Sequence, residues 1–183
     1  MITARRWLVE CTETHAFCAS QNIEERPTRL IDISGSDIKL VLTSGWKNMP
    51  RYATLSYCWG AGNFLKLVSD NLQNFMSSIP STALPRTYTC AIDICRKLNI
   101  EYIWIDALCI IQDKDNGEDW LRESGRMRSI YGQSYLNLAS ASAASPHEEN
   151  FARMSAHSGG FYAQVEDDER CKILAFHSET IYK

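Results

Sequence analysis

A chain of 183 residues, 45% hydrophobic and 22% charged, is long enough to bury a core as one domain without staples. A net charge of −3 and the lack of a long Lys/Arg run leave no electrostatic footprint for nucleic acid or an anionic membrane. No apolar run nears the roughly 20 residues that a bilayer span needs, and MITARRWLVECTETH lacks a signal-peptide core, so a cytoplasmic address is expected.

Trp7, Leu8, Cys11, His15 and Cys18 recur at helical spacing, which predicts a short amphipathic helix at the N-terminus. Cys11, His15 and Cys18 would then lie one turn apart on one face, an acceptable geometry for three zinc ligands, but no CxxC or HxxxH pair supplies a fourth. Packing of small residues onto the core is the preferred account of that face. After the turn signal at Glu25 to Pro27, the runs TRLIDIS and DIKLVLTS flank Ser-Gly-Ser and predict a hairpin. YATLSYCWG predicts a strand in which Ala53, Leu55 and Tyr57 alternate with Thr54 and Ser56, closed by Gly60 and Gly62. Residues 63–84 are weakly patterned, with a short helix near Ser69 to Met76 ended by Pro80. Pro85 then opens the clearest amphipathic helix, with Tyr88, Ala91, Ile92, Cys95 and Leu98 on one face and Asn99 as its stop.

The stretch from Glu101 to Tyr131 is the centre of the chain. Tyr102 to Ile105 is an unbroken apolar run of aromatic and β-branched residues, the pattern of a strand buried on both faces, and it ends at Asp106. A carboxylate at the carboxyl end of a parallel strand stands where such sheets place ligand-binding groups. Beyond the loop QDKDNGED, a helix from Asp119 to Tyr131 is expected to carry Trp120, Glu123, Met127 and Ile130 on one face. Glu123 is the anomaly on that stripe, because buried acids are disfavoured unless paired or used. SYLNLAS at 134–140 predicts a further strand. The alternation predicts an α/β fold: three layers, with a mostly parallel sheet of 52–58, 101–106 and 134–140 flanked by helices near 86–98 and 118–131. Residues 1–50 would add an N-terminal helix and β-hairpin extension, 51–145 the α/β core, and 146–183 an irregular tail with an acidic run at Glu166 to Glu169. The finish at Lys183 inside KILAFHSETIY suits a fragment or a shortened gene product.

Three blocks, LSYCWG at 55–60, YIWIDALCIIQD at 102–113 and DWLRESGRMRSIY at 119–131, carry a resemblance to a known family. With WLVEC and HAFC near the N-terminus and PTRLIDI at 27–33, the chain resembles, over roughly residues 7 to 145, the heterokaryon incompatibility (HET) domain of filamentous fungi. Ala107 stands where the family commonly has Ser, Ser134 where it commonly has Ala, and Gln164 where a tail Arg is expected. The resemblance implies a fungal protein whose activation triggers cell death after fusion of genetically different hyphae. It also implies kinship with Toll/interleukin-1 receptor (TIR) domains, which are flavodoxin-like. Some TIR domains cleave NAD with a helix-borne glutamate that follows a tryptophan. Trp120 and Glu123 stand one position closer than that motif.

Under that reading NAD is a substrate and no cofactor or metal is required. Cleaving nicotinamide builds positive charge on the ribose, so a carboxylate there stabilises the transition state, and Glu123 is the candidate catalytic residue. Pairing of Glu123 with Arg122, Arg126 or Arg128 is the structural alternative. Asp106 either binds ribose hydroxyls or caps the following loop. Ser56, Tyr57 and Trp59 end the neighbouring strand and are expected in the same crevice, with Trp59 stacking on a flat ring and Trp120 shaping the pocket. Seven cysteines are an odd number, and Cys58, Cys90, Cys95 and Cys109 lie inside apolar patterns, so reduced thiols are expected. Cys109 has no matching His and reads as a buried thiol, while CWGAG completes no phosphate-binding spacing. The rival function is a non-catalytic signalling module that works by self-association or with another incompatibility protein.

Overall fold

The computed structural model describes residues 2–14, 26–61, 63–113, 117–140 and 145–147, with the backbone of 162–163 and 173–174. Helix α1 spans Ile2–Thr14 and seats Ala4, Trp7 and Leu8 on the core. Strands β1 (Arg29–Asp32) and β2 (Lys39–Leu42) form the expected hairpin, paired antiparallel from Arg29↔Leu42 to Asp32↔Lys39. The Asp32 carboxylate turns the corner by accepting the Ser34 N–H at 3.0 Å, a local side-chain bond that favours a turn over a longer strand.

Strand β3 (Tyr52–Tyr57) is followed by α2 (Leu72–Ser77), α3 (Arg86–Lys97) and β4 (Tyr102–Trp104). Pro85 caps α3 without interrupting its bonding, and Asn99 ends it with a positive φ of 60°. A single turn, α4 (Asp106–Cys109), leads to α5 (Glu118–Gly132) and β5 (Leu136–Ser140). The three strands expected to be parallel are so: β4 and β5 both pair parallel with β3, through Ala53↔Ile103 and Leu55↔Leu138.

The sheet as a whole is mixed, which corrects the expectation of a mostly parallel one. Its order is β2-β1-β4-β3-β5, and β1 joins β4 antiparallel through Ile31↔Ile103. The hairpin is therefore part of the same sheet rather than an appendage. The cause lies in burial: Leu30, Ile31, Ile103, Trp104 and Ile105 are all fully enclosed, and an unpaired β4 edge would strand their backbone N–H and C=O groups inside the core.

Helices cover both faces. The Tyr52 hydroxyl donates to the Ile130 carbonyl at 2.7 Å, and Tyr131 packs edge-on against Trp104 at 5.4 Å, so α5 covers the face that carries Tyr52 and Trp104. By the two-residue alternation of a strand, Tyr57 points to the other face, where it meets Tyr88 of α3. In the C-terminal tail, β6 (Tyr162–Ala163) and β7 (Ile173–Leu174) pair antiparallel; the acidic run lies outside the described residues. Among the described residues no helix is long and apolar enough to cross a membrane.

Candidate functional site

The chain leaves β3, adds β4 on one side and then returns past β3 to add β5 on the other. Beside such a reversal, the carboxyl ends of the strands open a crevice. Three chemistry-bearing residues meet there. The Asp106 carboxylate accepts the Tyr57 hydroxyl at 2.8 Å and the Trp59 indole N–H at 2.7 Å, and also the N–H of Ala107 at 2.7 Å. Tyr88 extends the chain by donating its hydroxyl to that of Tyr57 at 2.5 Å. The local role weighed for Asp106 is seen in the bond from Ala107 N–H, and its other partners are the aromatic donors at the strand ends.

Burial raises the Asp106 pKa above the ordinary carboxylate range, and the donors from Tyr57, Trp59 and Ala107 offset that only in part. Burial also raises the pKa of Tyr57, reinforced by the neighbouring carboxylate, so the phenol remains a hydrogen-bond donor. The segment after β3 folds back over this corner. Leu67 N–H donates to the Ala107 carbonyl at 2.8 Å, and Gln112 N–H to that of Leu67 at 2.8 Å. Phe64 meets Trp59 edge-on at 5.4 Å, and Lys66 Nζ sits 4.9 Å from the Trp59 ring and 4.6 Å from that of Phe64. Phe64 and Lys66 fell in the weakly patterned stretch, and no periodicity marks them.

Ser56 stands apart from the cluster. It is exposed on the opposite side of β3 from Tyr57. Glu123 is fully enclosed. Its carboxylate accepts the Thr28 N–H at 3.2 Å and the Thr28 hydroxyl, with Arg126 Nη1 at 3.4 Å and Arg122 Nε at 3.6 Å. That is the closed arrangement, with the acid bonded to β1's lead-in residue and its own helix's arginines rather than facing a ligand. Glu123 and Ile130 are buried and Met127 packs on the core, as expected of that face of α5; Trp120, 49% exposed beside Leu121 at 67%, is the exception, and Asp119 is inward in its place. Asp119 is held by Arg29, Arg122 and the N–H of Ile111 at 2.8 Å, and Arg29 also donates to the Cys109 carbonyl at 3.0 Å. This pair was missed in the sequence because its members lie far apart in the chain.

Of the zinc triad, Cys11 is half-buried in α1, whereas His15 and Cys18 lie outside the described residues. Among the described residues no three His, Cys, Asp or Glu side chains are grouped to hold a metal. Cys90, Cys95 and Cys109 are buried and in no disulfide, as expected, and Cys58, also in no disulfide, is exposed between Tyr57 and Trp59. Comparison with known proteins gives one positive finding. No curated protein and no solved structure matches the chain. The family model described as Heterokaryon incompatibility protein (HET) matches residues 52–180, most of the chain, and takes in β3, β4, α5 and every member of the Asp106 cluster. By that match the chain belongs to the heterokaryon incompatibility protein (HET) family.

Proposed function

We propose that this HET domain acts in fungal non-self recognition and programmed cell death, from the cytoplasm, as a signalling module that works by self-association or with another incompatibility protein. The observation that carries the associative reading is the enclosure of Glu123: an acid with no exposed surface, already bonded to Thr28 and flanked by two arginines, is engaged in holding α5 to β1. Trp120 and Leu121, exposed together at the start of α5, supply apolar surface for association. The test is sedimentation of purified protein across a concentration series, alongside killing of fungal cells on expression. Trp120→Ser with Leu121→Ser should weaken both; a variant that kills undiminished as a monomer overturns the reading.

A second reading, TIR-like cleavage of NAD, is favoured by the corner at Asp106. A half-buried carboxylate beside Trp59, at the point where the strand order reverses, suits ribose hydroxyls next to a flat base. In this reading Asp106, Tyr57 and Trp59 contact the substrate, and Glu123 acts on the ribose only after Thr28 has moved away. Release of free nicotinamide from NAD at high protein concentration is the measurement that would favour it, and its absence there would remove it.

A further inference from the structure

We infer that Trp59 and Phe64 are two walls of a binding site for an organic cation, and that Lys66 is the built-in cation that such a ligand displaces. The two rings stand at 85° to one another with centroids 5.4 Å apart, and the Lys66 ammonium lies against both, at 4.9 and 4.6 Å. A cation within about 6 Å of an aromatic face is attracted by the ring quadrupole, and two perpendicular faces attract it from two directions. The Trp59 indole is the better of the two faces. Its N–H donates to Asp106 at 2.7 Å, and donation to a carboxylate pushes electron density into the ring and makes its face more negative.

The walls are fixed, whereas the resident cation can leave. Tyr88, fully buried, packs edge-on against Phe64 at 6.4 Å and Tyr57 at 5.1 Å, and Phe64 is itself buried. The backbone beside Lys66 is pinned through Leu67 to Ala107 and Gln112, but Lys66 is only half-buried and its four-carbon stem can swing to water. An ammonium on a flexible stem competes with a free ligand as an intramolecular occupant, so the open site should show only when Lys66 is removed.

The shared chemistry is a positive charge on a small organic body, which either a compact alkylammonium or a flat pyridinium supplies. The experiment titrates tetramethylammonium and, separately, the 1-methylnicotinamide cation, methylated on the ring nitrogen, into isotope-labelled protein and follows the Trp59 indole N–H by NMR. Neutral nicotinamide serves as the uncharged control. With Lys66→Met, at least one of the two cations should bind about fivefold or more tightly than to the parent, the scale of one cation–π contact regained. Tighter binding of tetramethylammonium would assign an alkylammonium, and of 1-methylnicotinamide a pyridinium. If Lys66→Met binds neither cation more tightly than the parent, or binds neutral nicotinamide as tightly as the cation it prefers, the site does not exist. Trp59→Leu, in which binding is followed by calorimetry because the indole reporter is gone, should abolish binding, but because that change also removes a donor from Asp106, the Lys66→Met result decides. Both readouts are binding to purified protein, so failure here leaves the readings of killing and NAD turnover untouched.

Discussion

Glu123 and Thr28 are tied twice, the threonine giving the carboxylate both its backbone N–H, at 3.2 Å, and its hydroxyl. Both donors come from one residue, the one that leads into β1, so α5 is anchored there at two atoms. Glu123→Gln keeps the size and helix propensity of the side chain and one acceptor oxygen, but it leaves Arg126 and Arg122 facing a neutral amide. The variant should fold and lose roughly 1–3 kcal/mol of stability in urea, the cost of weakening a buried charged hydrogen bond. Lost killing or lost NAD turnover at unchanged stability would instead assign Glu123 to chemistry.

One turn earlier on α5, Asp119 and Arg29 form a buried ion pair with side-chain exposures of 10% and 5%. Arg29→Met strands the carboxylate and should cost about 3–5 kcal/mol, because the charge left behind has no water to turn to. Arg122 cushions the loss only from a half-exposed position. Arg29→Met with Asp119→Leu should cost clearly less than the two single changes added together, which a double-mutant cycle in urea would measure. Additive costs would mean that the two residues are held independently.

These two acids also mark the limit of what a sequence discloses. The parallel strands and the helices α3 and α5 were legible because their periodicities are local: Tyr88, Ala91, Ile92 and Cys95 are buried as their spacing requires. The face of α5 was legible from Glu123 to Ile130 but not at its start, because hydrophobicity ranks Trp120 above Asp119, while the arginine that makes Asp119 buriable comes from β1. The hairpin was legible from its turn, but its antiparallel seat on β4 is a non-local choice. At the candidate site the strand-end rule located Tyr57, Trp59 and Asp106. It misplaced Ser56, because one step along a strand reverses the face. Phe64, Lys66 and Tyr88 complete the cluster from a loop and a helix whose approach no spacing encodes.

Thiol reactivity offers an independent check of the burial pattern. Burial pushes the Cys109 thiol up to about 12, with the Asp106 and Glu123 carboxylates adding to it, and burial also raises the pKa of Cys95. Cys58 is exposed. In the native protein a charged disulfide reagent at neutral pH should modify Cys58 quickly, and Cys90, Cys95 and Cys109 only on unfolding, as peptide mapping after a timed quench would show. Fast labelling of Cys109 would point to a nucleophile rather than a core thiol.

The pH dependence of Asp106 follows from its surroundings. Burial raises its pKa from an ordinary 3.8, and the Tyr57, Trp59 and Ala107 donors pull the other way without cancelling the rise. A carboxyl whose folded pKa lies above its unfolded one binds its proton more tightly in the folded state. Its contribution to stability is therefore complete below the unfolded pKa and is lost as pH rises through the folded one. Asp106→Asn is uncharged throughout and has no such loss. Whatever fixed cost the amide brings, the stability of the variant relative to the parent should improve as pH rises from about 3 to about 7. Urea titrations of both proteins at several pH values across that window would measure the trend, and the Trp59 indole N–H in the parent should shift with the same midpoint, since it donates to the titrating oxygen. A difference that stays flat, or that moves toward the parent with rising pH, would mean that the three donors outweigh burial and that Asp106 is ionised at lower pH than its environment implies.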